Sequence, residues 1–282
     1  MISINPLDVL LWTLRRNERD VVQLYSTLSP IMQLATGGNM LNFGLWDSEH
    51  REPQSAQKNL SYTFAKMADL DSANKVLDVG SGLSAPAIYW KNIFDNLFIF
   101  CVNTNYSQLY LSEKKQDIEF VNSSSTKLPF STKSVDRVLA LESAQHFKPF
   151  SKFISESKRV LVDDGLLVLA IPITINKPSS SKLGILKFTW SSEHYGLDEI
   201  RQMIHLGGFS ILEEKLIGSS VYEPLTDYYV EHRKELKKLI LKKYSSYVET
   251  ILFKSLKKMK TASQKKIIDY ALLKCQLPSN SD

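Results

Sequence analysis

Residues 75–84 read K-V-L-D-V-G-S-G-L-S. The apolar run Val76-Leu77-Asp78-Val79 breaks at Gly80 and Gly82, where a buried strand must turn sharply into a helix. Glycine at those two positions removes the Cβ atoms that would hold the backbone away from a ligand. The following helix offers its free N–H groups at the same place. Strand, glycine turn and helix in this order mark a nucleotide-type cofactor site at the carboxyl end of a strand.

Further segments continue the pattern downstream. Leu97-Phe-Ile-Phe-Cys-Val102 is a continuous apolar run suited to a buried parallel strand, and it ends at Asn103-Thr104-Asn105. Ile118-Glu-Phe-Val121 reads as a third strand, and Leu128-Pro129-Phe130 precedes a fourth in Ser134-Val-Asp-Arg-Val-Leu-Ala-Leu-Glu142. Phe153 to Ala170 reads as helix, turn and strand, and Gly207-Gly208-Phe209 turns into the penultimate strand.

Two cofactors compete for the glycine loop. Gly80-Ser81-Gly82-Leu83-Ser84-Ala85 satisfies G-x-G-x-x-G/A, the pyrophosphate pattern of NAD folds, which is a weak signal alone. Asp78 sits two places before the first glycine, where the NAD loop normally faces an apolar interior. V-L-D-V-G-S-G instead resembles motif I of class I S-adenosylmethionine-dependent methyltransferases, whose loop cradles the amino-acid part of that cofactor. The later segments resemble the same family's "LPF…SFD.V", "RVLkpGG.lvla" and "aGF" stretches in order and spacing, over roughly residues 20–217. The resemblance implies an α/β, Rossmann-like, doubly wound and mostly parallel seven-stranded sheet that binds S-adenosyl-L-methionine. An NAD-linked oxidoreductase is the distant alternative and would bind a dinucleotide tightly.

Composition sets the bounds. One α/β domain with appended helices accounts for 282 residues, and 43% hydrophobic content supports a large core. Only two cysteines, Cys101 in an expected buried strand and Cys275 near the end, argue against a disulfide framework and for a cytoplasmic, reducing setting. Val9-Leu-Leu-Trp12 is too short for a signal-peptide core, and no run approaches the ~20 apolar residues that span a bilayer. A homodimer is left open.

Residues 1–70 read as a helical lid: Pro6 to Leu34 is periodic, Gly37-Gly38 ends it, and Pro53 to Leu70 resumes. Residues 71–217 read as the cofactor-binding sheet domain, with an insertion over 172–195 that includes Pro178-Ser-Ser-Ser-Lys182 and covers the strand ends. Residues 218–282 read as a basic helical extension, which carries much of the net charge of +5. There Leu236, Ile240, Tyr244, Tyr247 and Ile251 form one apolar stripe, with lysines largely off it. A packed surface helix explains that stripe. The tail lacks base-stacking aromatic motifs, so no nucleic acid is expected, and an anionic lipid or substrate contact is the charged alternative.

The resemblance assigns cofactor positions residue by residue. Asp78, Gly80, Ser81 and Gly82 match the loop, and Ser84 stands where a third glycine is common, a mild change at a helix start. Asn103 replaces the usual acidic residue that accepts hydrogen bonds from the ribose; its amide can still accept, and can also donate. Cys101-Val-Asn-Thr-Asn-Tyr-Ser-Gln108 resembles the "NxNxxQ" variant of sterol-type enzymes, which brings in Thr104 and Gln108. Ser124-Ser125-Thr126 replace the Asp-Ala pair beside the adenine. These departures keep a non-catalytic binding protein with a decayed site as an alternative.

The acceptor side rests on two stretches. Glu142-Ser-Ala-Gln-His146 leaves the fourth strand where several small-molecule methyltransferases place a histidine, and an imidazole's ordinary pKa near ~6.5 suits general base work. The alternative is a histidine that merely caps a helix. Tyr25 and the Gly37-Gly-Asn-Met-Leu-Asn-Phe-Gly-Leu-Trp46 stretch resemble the "Y…lH.GyW" lid of sugar O-, phosphobase N- and sterol or terpene C-methyltransferases. In phosphobase enzymes a lid tyrosine pairs with that histidine, so Tyr25 and His146 match; core packing is the other reading of Tyr25. Phe43 and Trp46 are candidate pocket walls, where aromatic faces favour a sulfonium. Glu142 would stabilise or deprotonate a carbocation if the acceptor were a prenyl or sterol alkene. His50, His194, His205 and His232 show no metal-ligand spacing. The expected activity is methyl transfer to O, N or C of a small or lipid-like metabolite, with the accepting atom unread.

Overall fold

The computed structural model describes residues 15–175, 180–189 and 193–278. Its centre is a seven-stranded sheet in the order β3-β2-β1-β4-β5-β7-β6. The strands are β1 (Lys75–Val79), β2 (Phe98–Asn103), β3 (Ile118–Asn122), β4 (Val135–Leu141), β5 (Leu161–Thr174), β6 (Ser210–Leu216) and β7 (Ile268–Gln276). Strands β1 to β5 pair in parallel, and β7 runs antiparallel between β5 and β6.

Side-chain alternation along the strands builds two cores. Val76, Ile99, Cys101, Leu139 and Val168 point to one face, whereas Leu77, Val79, Val102, Val138 and Leu167 point to the other. The first face is covered by α2 (Pro53–Met67), α3 (Ala85–Ile93), α9 (Gly218–Glu231) and α11 (Ser246–Gln264). The second is covered by α5 (Phe150–Val160) and α8 (Leu197–Leu206). Helices on both faces satisfy strands that are apolar on both sides, which is why these sequences read as runs.

Over the strand ends lies α1 (Glu18–Thr36), the lid helix. Asn17 caps it by accepting from the Asp20 amide at 3.0 Å, and Gly37 ends it in the left-handed region at φ 73°. The periodicity expected before residue 15 falls outside the described residues. So do Pro178 and Ser179 of the insertion, whose described parts hold α6 (Ser180–Leu183) and α7 (Leu186–Thr189).

Three expectations need correction. The extension over 218–282 is not helical to its end: Ile268–Gln276 is a sheet strand, with seven of its nine residues buried. Its apolar run was masked by the lysine-rich sequence before it, and the sheet domain therefore needs residues beyond 217. The insertion starts later than 172, because Pro172 still pairs with Tyr270 within β5. The single tail stripe is split, since α10 (Arg233–Leu241) ends before α11 begins at Ser246. Tyr244 between them is buried, and Tyr247 is 48% exposed.

Candidate functional site

The strand ends, the lid helix and α11 enclose a cavity of about 350 Å³. Its polar floor is the glycine loop. Gly80 takes φ 77°, its amide donates to Val102 O at 2.7 Å, and a Cβ there would lie 2.4 Å from Ser143 Cβ. Gly82 takes φ 57°, and a Cβ would meet only Leu41 Cδ1 at 3.5 Å, so this backbone faces open space. The cradle is thus bare where a ligand must approach. Ser84 also has a left-handed φ of 55°, so the change from glycine is a strained one rather than mild.

Asn103 organises the next turn. Its Nδ2 donates to Gly82 O (3.1 Å) and Gln108 Oε1 (3.0 Å), and its Oδ1 accepts from the Asn105 amide (3.1 Å). Gln108 Nε2 continues to Ser29 Oγ at 2.9 Å, and Asn105 Nδ2 reaches Ser26 Oγ at 3.2 Å. One polar chain therefore ties the glycine loop to the lid helix. Asn103, Thr104 and Gln108 all line the cavity.

The hydroxyl cluster after β3 is divided. Ser123 and Ser125 line the cavity, but Ser124 and Thr126 do not. Ser124 and Thr126 bond each other at 2.8 Å, and Ser124 Oγ donates to the carboxylate of Glu18 on the lid helix. Glu18 lines the cavity, so an acid from the lid stands near the hydroxyls that replace the family's Asp. Sequence reasoning missed it, because its partner lies 106 residues away. Asp78 lies behind the floor: it is 2% exposed, its Oδ2 has no partner among the described residues, and burial pushes its pKa up to about 7.

Tyr25 and His146 meet. The Tyr25 oxygen is 2.8 Å from His146 Nε2, and the rings stand edge to face with centroids 5.2 Å apart. Burial, with Glu142 nearby, raises the Tyr25 phenol above its ordinary range, so it stays protonated while it shares this hydrogen bond with the imidazole. His146 ends a short 3-10 turn, Ala144–His146, that directly follows β4. Glu142 precedes that turn in the left-handed region at φ 53°. Its Oε1 accepts from the Phe43 amide and the Tyr270 hydroxyl, each at 2.9 Å. Burial nevertheless pushes its pKa up to about 8, because desolvation disfavours the carboxylate.

Phe43 lines the cavity, but Trp46 does not. Gly44 at φ 84° turns the lid loop, and Trp46 instead packs on Tyr228 with its Nε1 donating to Phe43 O at 3.0 Å. The apolar wall comes from elsewhere. Leu28, Ile31 and Met32 of the lid face Val248, Ile251, Leu252, Leu256 and Met259 of α11. Of these α11 residues only Ile251 belongs to the stripe read from the sequence, and its position against the cavity was not legible there. Among the described residues no group of His, Cys, Asp and Glu could hold a metal ion, and no helix is long and apolar enough to cross a membrane.

Comparison with known proteins gives a consistent set. A family profile described as "Methyltransferase domain" matches residues 77–169. Erythromycin 3''-O-methyltransferase of Saccharopolyspora erythraea is 26% identical over 273 residues, covering 89% of this chain and 86% of its own. For 27-O-demethylrifamycin SV methyltransferase of Amycolatopsis mediterranei, identity is 26% over 162 residues, 55% of this chain and 59% of the relative. Among solved structures the 4+2 cyclase SpnF has a TM-score of 0.78 at 19% identity, over 94% of this chain and 97% of that one, a likeness of fold.

Proposed function

Because the chain is a class I S-adenosylmethionine-dependent methyltransferase of the small-molecule and lipid branch, we propose that it methylates a hydroxyl oxygen on a mostly apolar metabolite, with His146 as the base. The observation that carries this reading is the 2.8 Å contact between His146 Nε2 and Tyr25, both of which line the cavity. The relative that matches along 89% of this chain is named for methylation at an oxygen, which supports a hydroxyl as the accepting group.

The residues present fit the cofactor. Gly80, Ser81 and Gly82 would take its amino-acid part against the open backbone, Asn103 and Thr104 would hold the ribose, and Ser125 and Glu18 would meet the adenine, with Asp78, Gln108, Ser124 and Thr126 bracing these groups. When bound, S-adenosylmethionine supplies an electrophilic methyl group on a sulfonium sulfur. The chain's own part is to orient the acceptor and manage its proton. Tyr25 donates to the imidazole in the closed site, and its departure to another partner frees Nε2 to accept the acceptor's O–H proton. Phe43 closes the site from the lid loop.

C-methylation of an alkene through Glu142 fits less well, since its Oε1 is already held by the Phe43 amide and the Tyr270 hydroxyl and burial disfavours its charged form. The open glycine cradle disfavours a decayed site, and the methyltransferase profile disfavours NAD chemistry. We place the enzyme in the cytoplasm, without a nucleic-acid partner. Parallel calorimetric titrations with S-adenosylmethionine, S-adenosylhomocysteine and NAD, followed by a screen of hydroxylated apolar acceptors for S-adenosylhomocysteine release, test the reading. Binding of NAD alone, or cofactor binding with no turnover across alcohols, would reject it.

A further inference from the structure

The charge and hydrogen-bonding sense of the cavity wall narrow the acceptor further. Among the described residues the wall contains no lysine and no arginine, although the chain has 35 of them. Its ionisable side chains other than Tyr25, Tyr247 and His146 are two acids, Glu18 and Glu142. A phosphate, diphosphate or carboxylate on the acceptor would enter without a cation to balance it, and a buried unpaired anion is strongly disfavoured.

Within the apolar part of that wall sits one hydroxyl pair. Thr189, at the end of α7, and Ser255, on α11, both line the cavity, with their oxygens 2.6 Å apart. Thr189 Oγ1 is also 3.2 Å from Ile185 O. Both contacts are hydrogen bonds at once only if Thr189 donates to Ile185 O and Ser255 donates to Thr189. Each hydroxyl has one proton, so both donors are then used and Ser255 Oγ keeps only lone pairs. A ligand group that meets the pair must therefore donate.

We propose that Ser255, held by Thr189, forms a subsite that selects an uncharged or cationic acceptor bearing a second hydrogen-bond donor, a hydroxyl or amine N–H, and rejects anionic acceptors. This rests on the methyl-transfer reading above and adds to it the residues that choose the substrate. An acceptor of this class is a hydrophobic body carrying a polyhydroxylated or amino group, with one hydroxyl methylated and another read by the subsite.

The test uses the full chain with three matched probes: a neutral glycoside of a hydrophobic aglycone with free sugar hydroxyls, its per-acetylated form, and its sugar-phosphorylated form. Calorimetry on protein loaded with S-adenosylhomocysteine measures binding without turnover. The free glycoside is expected to bind at least tenfold more tightly than either derivative. Ser255→Ala and Thr189→Val should each weaken it about 5- to 10-fold while leaving S-adenosylhomocysteine affinity unchanged, a loss of the size expected for one hydrogen bond. Ser255→Lys should recover binding of the phosphorylated probe. Equal binding of the phosphorylated and free probes by the wild type, or wild-type affinity for the free probe in both variants, overturns the subsite. Selective binding without any methyl release from the full cofactor would instead overturn the assigned reaction and leave the subsite standing.

Discussion

Removing the imidazole at position 146 tests whether the Tyr25–His146 pair does proton chemistry or only closes the lid. If His146 is the base, His146→Ala loses a general-base contribution of about 10²- to 10⁴-fold in kcat, or about 3–5 kcal/mol of transition-state stabilisation. The same change removes the 2.8 Å bond to Tyr25 and strands a buried phenol, which costs about 1–3 kcal/mol of folding stability. Tyr25→Phe removes that bond too, but keeps the base, so its kcat should fall no more than about tenfold. Because the two residues act as a unit, the double variant should be no slower than His146→Ala alone. The assay is S-adenosylhomocysteine release at saturating acceptor across pH, with calorimetry to show that cofactor affinity is unchanged within about twofold. A base also leaves a limb in the pH–rate profile that the alanine variant lacks. Retention of kcat within threefold in His146→Ala, or an equal loss in Tyr25→Phe with the limb intact, would refute the base assignment and leave a latch.

Other measurements address the rest of the site. Gly82→Ala forces an L-residue into φ 57° with space to spare, so it should cost about 1–2 kcal/mol of stability and weaken the cofactor, whereas Gly80→Ala, 2.4 Å from Ser143 Cβ, should destabilise far more; thermal melts of the pair give the ranking. Gln108→Leu breaks buried links to Asn103 and Ser29 worth about 1 kcal/mol each, so amide exchange across Leu24–Gln33 should speed by roughly 10- to 30-fold with little change over β1. Glu142 has a folded pKa raised from 4.5 to about 8, so its contribution is fully present below pH 4.5 and is lost as pH rises through 8; urea melts should show wild type losing ~2–4 kcal/mol more than Glu142→Gln between pH 5 and 9, and parallel slopes would contradict it.

Legibility in the sequence followed the range of the interaction. The glycine loop, the parallel strands from Lys75 to Leu141 and the lid helix have local signatures: apolar runs, a two-glycine break and a terminal glycine, whereas the Asn17 cap that starts the helix at Glu18 was not read. Tyr25 and His146, 121 residues apart, were also reachable, because both sit in stretches with a recognisable family pattern. What escaped notice depends on non-local pairing. Ile268–Gln276 becomes a strand because β5 and β6 leave a gap between them, and nothing within its own nine residues distinguishes that from a buried helix segment. Trp46 reads as a pocket aromatic until the turn at Gly44 sends it to Tyr228 instead.

The two late surprises share a cause that bears on specificity. Although β6 and β7 are antiparallel neighbours that a hairpin could join, the chain between them crosses the first face of the sheet as α9, α10 and α11. Ile240, Tyr244 and Val248 then pack against Ile31, so the lid helix rests on the crossing as well as on the strand ends. The residues proposed for the cofactor follow β1, β2 and β3, while the wall proposed for the acceptor hangs from this crossing and from α7. A substitution on α11 can thus alter which acceptor enters without touching the glycine loop, and Val248 and Leu252 join the two tasks because each lines the cavity and also packs with the lid's anchor. Val248→Ala should therefore raise the acceptor's KM and loosen the lid together, whereas Met259→Ala, farther along the same helix, should change the acceptor's KM alone. Steady-state kinetics paired with exchange over Leu24–Gln33 separates the two, and identical lid exchange in both variants would break the link between wall and lid.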